Sequence, residues 1–531
     1  MKTTKKLLTI LMAIAVLFSM AIPVQAAETY SITINHPTDE KDHTYEAYQL
    51  FTGEISINAL GKEVLSNVTW GTGIDYDALL AKITAGTTYP NCVALFKDAE
   101  TAGEVADILG NNSNNATFVN EFARAAGTCL TDVCVPSTLT DDNGTYVISG
   151  LSAGYYLVKD QDGSLEDVNE TYTNYILQVV GNTELNPKNG TTTVDKVIHD
   201  GGSHVEAADF SIGDTVAFEL MGTLPENYSR FETFEYEFID TMSKGLTYTP
   251  DSAKVYLENA GNKVELTTGF TVDTSVNAET GETNLNVKFA DLKAITDRTI
   301  DTHTTIIVEY TATLNENAVI GGEGNPNTVY IEYDNNPYSD GKGKTKEDIV
   351  YAFTFELDVT KYDGDTGAAL PNAKFVIYRE LLNAKHYAVL DAENKVSSWT
   401  TVKDDATTLV SGTDGKFIIK GLESDIYFLE ETEAPVGYDL LKDRITVDII
   451  ATVSEGTTGG QIDNLQIKVN NSTIENGDKT TGIVDMDVIN NPGSTLPETG
   501  GIGTTLFYIF GGIIVAVVVV MFITKKRMNS Y

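Results

Sequence analysis

The stretch Tyr427-Phe-Leu-Glu-Glu-Thr-Glu-Ala-Pro-Val-Gly-Tyr438 opens as a strand and closes as a turn. Side chains alternate along a strand with a period of two, so Tyr427, Leu429 and Glu431 share one face. That face is otherwise apolar, which points Glu431 inward. Two other segments repeat the pattern. In Phe355-Glu-Leu-Asp-Val-Thr-Lys361 the face of Phe355, Leu357 and Val359 ends in Lys361. In Val484-Asp-Met-Asp-Val-Ile-Asn490 the face of Val484, Met486 and Val488 ends in Asn490, while Asn491 falls on the face of Asp485 and Asp487. Three strands each aim one polar group at an apolar interior, the pattern of a β-sandwich with chemistry in its core.

A lone buried lysine is costly. A simple Lys–Glu ion pair would answer that cost, and it is the alternative to a covalent link. Burial lowers the pKa of a lysine and raises that of a carboxylic acid. The amine then becomes a nucleophile and the acid a proton carrier able to hydrogen-bond the Asn carbonyl. Attack of Lys361 Nζ on the side-chain carbon of Asn490 forms an amide and releases ammonia, with proximity supplying much of the rate. The twelve residues from Tyr427 resemble the E-box, YxLxETxAPxGY, of Gram-positive pilins with CNA-B (prealbumin-like) domains. Leu370-Pro-Asn-Ala-Lys-Phe375 resembles their second-strand LxGAxF, with Asn372 where Gly is usual. The resemblance implies Glu431 as the catalytic acid and Lys361–Asn490 as an intramolecular isopeptide bond.

The middle of the chain repeats the logic. Val194, Lys196 and Ile198 share a face, as do Phe234, Tyr236, Phe238 and Asp240, and Asn327, Val329, Ile331 and Tyr333. Lys196, Asp240 and Asn327 are therefore a candidate triad with Asp as the acid, and Asn325 and Asn335 are competing acceptors. Satisfied polar residues at strand ends are the alternative. The segment 236–248 resembles the CNA-A-like middle domain of backbone pilins. The first part of the chain differs: Tyr30, Ile32, Ile34 and His36 share a face without a lysine, and Tyr155-Tyr-Leu-Val-Lys-Asp160 shows no inward acid to match Glu431. No isopeptide bond is expected there, although 44–51 and a helical insertion resemble the N-terminal domain of the same pilins.

Most of the remaining chain reads as all-β, with alternating β-branched and aromatic runs at Tyr30–Asn35, 146–158, 175–180, 305–313 and 416–419. The exception is 75–130, where 77–83, 102–109 and 116–126 carry apolar residues at helical spacing around the polar loop Asn111-Asn112-Ser113-Asn114-Asn115. Turn-rich boundaries near 186–190 and 334–348 divide the chain into an N-terminal domain 28–188, a middle isopeptide domain 189–350 and a CNA-B domain 351–495. Each is expected to be an immunoglobulin-like β-sandwich.

The two ends carry their own signals. Residues 1–26 hold Lys2, Lys5 and Lys6, an apolar stretch and Val24-Gln25-Ala26, the form of a cleaved secretory signal peptide. At the other end Leu496-Pro497-Glu498-Thr499-Gly500 precedes an apolar run, 506–523, long enough for a transmembrane helix, and the basic tip Lys525-Lys526-Arg527. A plain membrane anchor has the last two parts. All three in order, 496–531, resemble the LPxTG sorting signal that a sortase cuts between Thr and Gly, which implies cleavage after Thr499.

Composition narrows the function. A formal net charge of −40 argues against nucleic acid, which needs basic patches. The three cysteines, Cys92, Cys129 and Cys134, are disulfide candidates in an exported chain, with one left over. No CxxC and only scattered histidines mean that no metal or other cofactor is expected. No Ser/His/Asp spacing or phosphate loop suggests a turnover enzyme, and no Cys–Gln pairing can be assigned to a thioester adhesin. Leu185-Asn186-Pro187-Lys188-Asn189 resembles the family's pilin motif, YPKN, with Asn186 in place of Tyr; a linker lysine in a turn is the alternative. The resemblance implies a secreted, cell wall-anchored pilus backbone subunit of a Gram-positive bacterium. Sortase would join Lys188 of one copy to Thr499 of the next in a head-to-tail fibre. The implied partners are a class C pilin sortase, a housekeeping sortase, minor tip and base pilins and peptidoglycan. An anchored adhesin or minor pilin that does not polymerise is the rival reading, and the host ligand is not legible.

Overall fold

The structure, a computed structural model, describes residues 28–35, 43–140, 144–187, 190–338, 340–457, 459–472, 474–493 and 502–528. Signal peptide 1–26, His36, Lys188 and the whole of 496–500 lie outside the described residues. The chain divides into two compact units, one running to Thr354 and including Thr452–Asp463, the other made of Phe355–Ala451 and the residues from Asn464 onward.

The first unit begins with a sandwich of two small sheets. One has the strand order Thr138–Leu139, Thr145–Leu151, Tyr30–Asn35, Thr183–Leu185. The other has the order Glu63–Trp70, Tyr45–Ile57, Gly154–Asp160, Asn174–Val179. The run expected at 146–158 is thus two strands joined by a short turn, one in each sheet. Gly154–Asp160 is covered on both sides. Tyr156 and Val158 pack with Ile32, Ile34 and Tyr146 between the sheets, while Leu157 packs with Phe51 beneath helices. Those helices are the insertion: Tyr76–Thr84, Pro90–Phe96, Ala102–Asn111 and Ala116–Gly127. Each expected start has a cap, from the Asp75 and Asn115 side chains and a Thr101–Glu104 capping box. Pro90–Phe96 is a helix the periodicity missed; it is only two turns long and starts on a proline in its first turn.

Two seven-stranded sheets come next. One has the order Ser203–Val205, Val194–Asp200, Thr215–Gly222, Thr305–Leu314, Lys254–Asn259, Asn262–Leu266, and the other runs through Ala207–Asp209, Asp348–Phe353, Asn325–Asp334, Tyr236–Met242, Thr283–Phe289, Thr271–Val276. The second unit has a three-stranded sheet ordered Lys416–Leu422, Phe355–Asp363, Ile483–Asn490, and a larger sheet in which Lys374–Leu381 and Ile426–Glu433 are neighbours. Phe355–Asp363 and Ile483–Asn490 run parallel, with Lys361 opposite Val488 and Asp363 opposite Asn490. Ile483–Asn490 alternates without exception, burying Val484, Met486, Val488 and Asn490. The final helix, Ile502–Met528, is long and apolar enough to cross a membrane and ends in Lys525, Lys526 and Arg527.

Candidate functional site

In the second unit Lys361, Glu431 and Asn490 meet inside the sandwich, with Lys361 and Asn490 fully buried and Glu431 nearly so. The lysine and the asparagine sit on neighbouring strands, and Glu431 reaches across from the larger sheet. Lys361 Nζ donates to Asn490 Oδ1 at 2.5 Å and lies 4.0 Å from Glu431 Oε1. Asn490 Nδ2 donates to the two Glu431 oxygens at 3.0 and 3.2 Å. Leu441 N–H donates to Glu431 Oε2 at 2.8 Å. Burial lowers Lys361 to about 8, against the opposing pull of the Glu431 carboxylate. The expected bond from the acid to the Asn carbonyl is not the one made. A lysine amine can offer only hydrogens to this contact when charged, so the amide turns its oxygen to Nζ and its nitrogen to the carboxylate. The nitrogen that would leave as ammonia is therefore the one that touches the acid.

The rest of the 427–438 stretch fastens the ends of both strands. Tyr438 OH donates to Asp363 Oδ2 at 2.7 Å, two residues beyond Lys361, and holds the Asp363 carboxyl down at about 2, helped by the Asp365 N–H. Tyr438 also bridges to Pro492, and Gly364 N–H donates to Asn490 O at 2.8 Å. Asn372 has φ of 64°, in the left-handed region. That explains both the Gly usual at this position in the resembling motif and why Asn is tolerated in its place.

The middle cluster is built differently. Lys196, Asp240 and Asn327 are all fully buried. Lys196 Nζ is bonded directly to Asp240 Oδ2 and lies 3.3 Å from Tyr310 OH. Tyr310 OH donates to Asp240 Oδ1 at 3.0 Å and accepts from Asn327 Nδ2 at 2.7 Å. Burial lowers Lys196 and raises Asp240, in each case against the attraction of the other. Asn327 Oδ1 is buried with no hydrogen-bond partner among the described residues. Tyr310 was missed from the sequence, where it reads as one more core aromatic beside Val308 and Ala312. Neither competing acceptor faces Lys196. Asn325 bonds to the main chain of Val319 and Ala352, and Asn335 Nδ2 to the carbonyls of Leu165 and Glu170.

The first sandwich requires a correction. Asp160 does point inward, 1% exposed, on the face of Tyr156 and Val158. Its partner is a buried His43, whose Nδ1 lies 2.7 Å from Asp160 Oδ1 and whose Nε2 lies 2.6 Å from Glu170 Oε2. Burial pushes the imidazole down, but the two carboxylates outweigh it and raise His43 to about 9. Sequence spacing could not find this cluster, because His43 is 117 and 127 residues from its partners. The disulfide candidates are also corrected: Cys92, Cys129 and Cys134 are free thiols. Cys92 and Cys129 lie in the core under the helices, and burial pushes the Cys92 thiol up to about 12. Cys134 lies at the sheet edge beside Tyr48.

Successive β-sandwiches with polar clusters in their cores, followed by an apolar helix with a basic end, define a class of multidomain anchored surface proteins. Three family models match: a prealbumin-like fold domain of the SpaA type over 355–464, a Gram-positive pilin backbone subunit 2 Cna-B-like domain over 212–337, and an LPXTG cell wall anchor motif over 489–530. The middle match is thus described as Cna-B-like, where the residues had resembled a CNA-A-like domain. The trypsin-resistant surface T6 protein of Streptococcus pyogenes serotype M6 is 24% identical over 451 residues, covering 73% of this chain and 77% of that protein. The solved T6 backbone pilin of the same serotype covers 88% of this chain and 100% of its own, at 17% identity and a TM-score of 0.51, and speaks for the fold. Together these matches give the chain the domains of a Gram-positive backbone pilin and its LPXTG anchor. It is a wall-anchored surface pilin, processed by sortase and polymerised with copies of itself.

Proposed function

We propose that the joint of the fibre is an amide between Lys188 of one subunit and Thr499 of the next, and that Lys361–Asn490 and Lys196–Asn327 are intramolecular isopeptide bonds. The observation that carries the second part is the continuous contact from Lys361 Nζ through the Asn490 amide to Glu431. In each bond Nζ attacks the Asn side-chain carbon. The C–Nδ2 bond breaks, and Glu431 or Asp240 moves the proton from the amine to the departing nitrogen, which leaves as ammonia. The acid is regenerated once and used once, so the protein is its own single-turnover catalyst rather than an enzyme. The working division is 28–188, 189–350, 351–495 and a sorting signal 496–531. A class C sortase would make the Lys188 joint, and a housekeeping sortase would transfer the last Thr499 to peptidoglycan, with minor pilins at tip and base. Head-to-tail joining does not close, so it yields a filament.

The intact mass of the ectodomain tests the bonds: two ammonia equivalents below the sequence mass is expected, and the full sequence mass sinks the reading. Replacing Lys188 by Ala is expected to abolish the high-mass ladder of the pilus on denaturing gels. An unchanged ladder removes Lys188 from the joint.

A further inference from the structure

The histidines looked scattered in the sequence, yet folding brings two of them together. His199, on Val194–Asp200, is directly opposite His204, on the edge strand Ser203–Val205, across the hairpin that turns at Gly201-Gly202. Their rings stack with centroids 4.4 Å apart. Glu219, on the next strand Thr215–Gly222, is 5% exposed and approaches from the other side. One donor atom from each of the three residues lies within 4.8 Å of the other two. His199 Nε2 is buried without a hydrogen-bond partner among the described residues and stands 3.7 Å from Glu219 Oε2.

We propose that His199, His204 and Glu219 form a binding site for a divalent transition ion of the zinc class. Metal–nitrogen and metal–oxygen bonds of about 2.0–2.2 Å in a tetrahedral site put neighbouring donors roughly 3.4 Å apart. The His199–Glu219 separation is already close to that, and His204, exposed on an edge strand, is free to turn its ring. Two imidazoles and one carboxylate suit zinc or copper better than calcium or magnesium, which favour all-oxygen sites. Three protein ligands leave one position for water.

A cation already competes for Glu219. Lys263 Nζ lies 3.0 Å from Glu219 Oε2 and 2.5 Å from Glu309 Oε1. Glu309 is directly opposite Glu219 in the sheet, so Lys263 can stay on Glu309 when the metal takes Glu219. The bound ion would fasten the edge hairpin, one arm of which carries Lys196, to the neighbouring strand Thr215–Gly222.

Zinc alone, titrated calorimetrically into tag-free ectodomain at neutral pH, tests the site. One zinc per chain is expected. His204→Ala, a change at an exposed position that leaves folding intact, should weaken binding at least tenfold, and Lys263→Ala should tighten it by removing the competitor. Wild-type protein that takes up no zinc, or His204→Ala protein that binds as wild type does, overturns the proposal.

Discussion

In the second unit the lysine and the asparagine belong to one sheet and the acid comes from the opposite one. In the middle sheets Lys196 and Tyr310 lie on one sheet, and Asp240 and Asn327 on the other. A Lys361–Asn490 bond would therefore tie two neighbouring parallel strands, whereas a Lys196–Asn327 bond would staple sheet to sheet. The ground states differ as well. Glu431 holds the amide nitrogen and leaves the amine against the amide oxygen. Asp240 holds the amine itself, and Tyr310 stands between the acid and the amide. The second-unit cluster is one displacement away from the bond. The middle cluster must first move its amide off Tyr310, so its bond is expected to form more slowly.

The largest expected effect breaks the cluster that is closer to reaction. Glu431→Ala should lose one ammonia fewer than wild type, each measured against its own sequence mass. Lys361 and Asn490 are 129 residues apart, and losing a covalent closure of that length costs roughly 5 kcal/mol in the chain-entropy account used for disulfides. Denaturant unfolding and intact mass together read both. Asp240→Asn should likewise lose one ammonia fewer than wild type; a wild-type protein only one ammonia below its sequence mass would show the middle cluster to be an ion pair only.

The first sandwich provides a third buried cluster, with His43 where the others have lysine. His43 is raised from about 6.5 in an unfolded chain to about 9 in the fold. The stability it contributes, roughly 3 kcal/mol at most, is fully present below about pH 6.5 and is lost as pH rises through about 9. His43→Gln should lower the melting temperature at pH 6 and flatten its decline between pH 6 and 9, without changing the ammonia count.

Tyr310→Phe isolates the feature peculiar to the middle cluster. It leaves Asn327 Nδ2 without its hydroxyl partner, at a cost of about 1–3 kcal/mol. It should alter bond formation at Lys196 alone, as read by the masses of proteolytic fragments. The smallest effect is expected at Asn372. Gly adopts its positive φ without strain, so Asn372→Gly should be neutral or stabilise by a few tenths of a kcal/mol in denaturant unfolding.

The period of two in 355–361, 427–431 and 484–490 was enough to assign Lys361, Glu431 and Asn490 to the interior, and likewise Lys196, Asp240 and Asn327. An alternating strand with one apolar face has only one way to lie on a core. Local chemistry also determined three of the four inserted helices and the apolar final one. What depends on which strands become neighbours was not legible. The parallel pairing of Phe355–Asp363 with Ile483–Asn490, the Tyr310 hydroxyl between Asp240 and Asn327, the inward Asp160 facing His43, and the opposed His199 and His204 with Glu219 all belong here. Alternation decides which face a side chain takes, whereas sheet order and the packing of one sheet on another decide what it meets there. Those contacts join residues far apart in the chain, and only the folded structure brings them together.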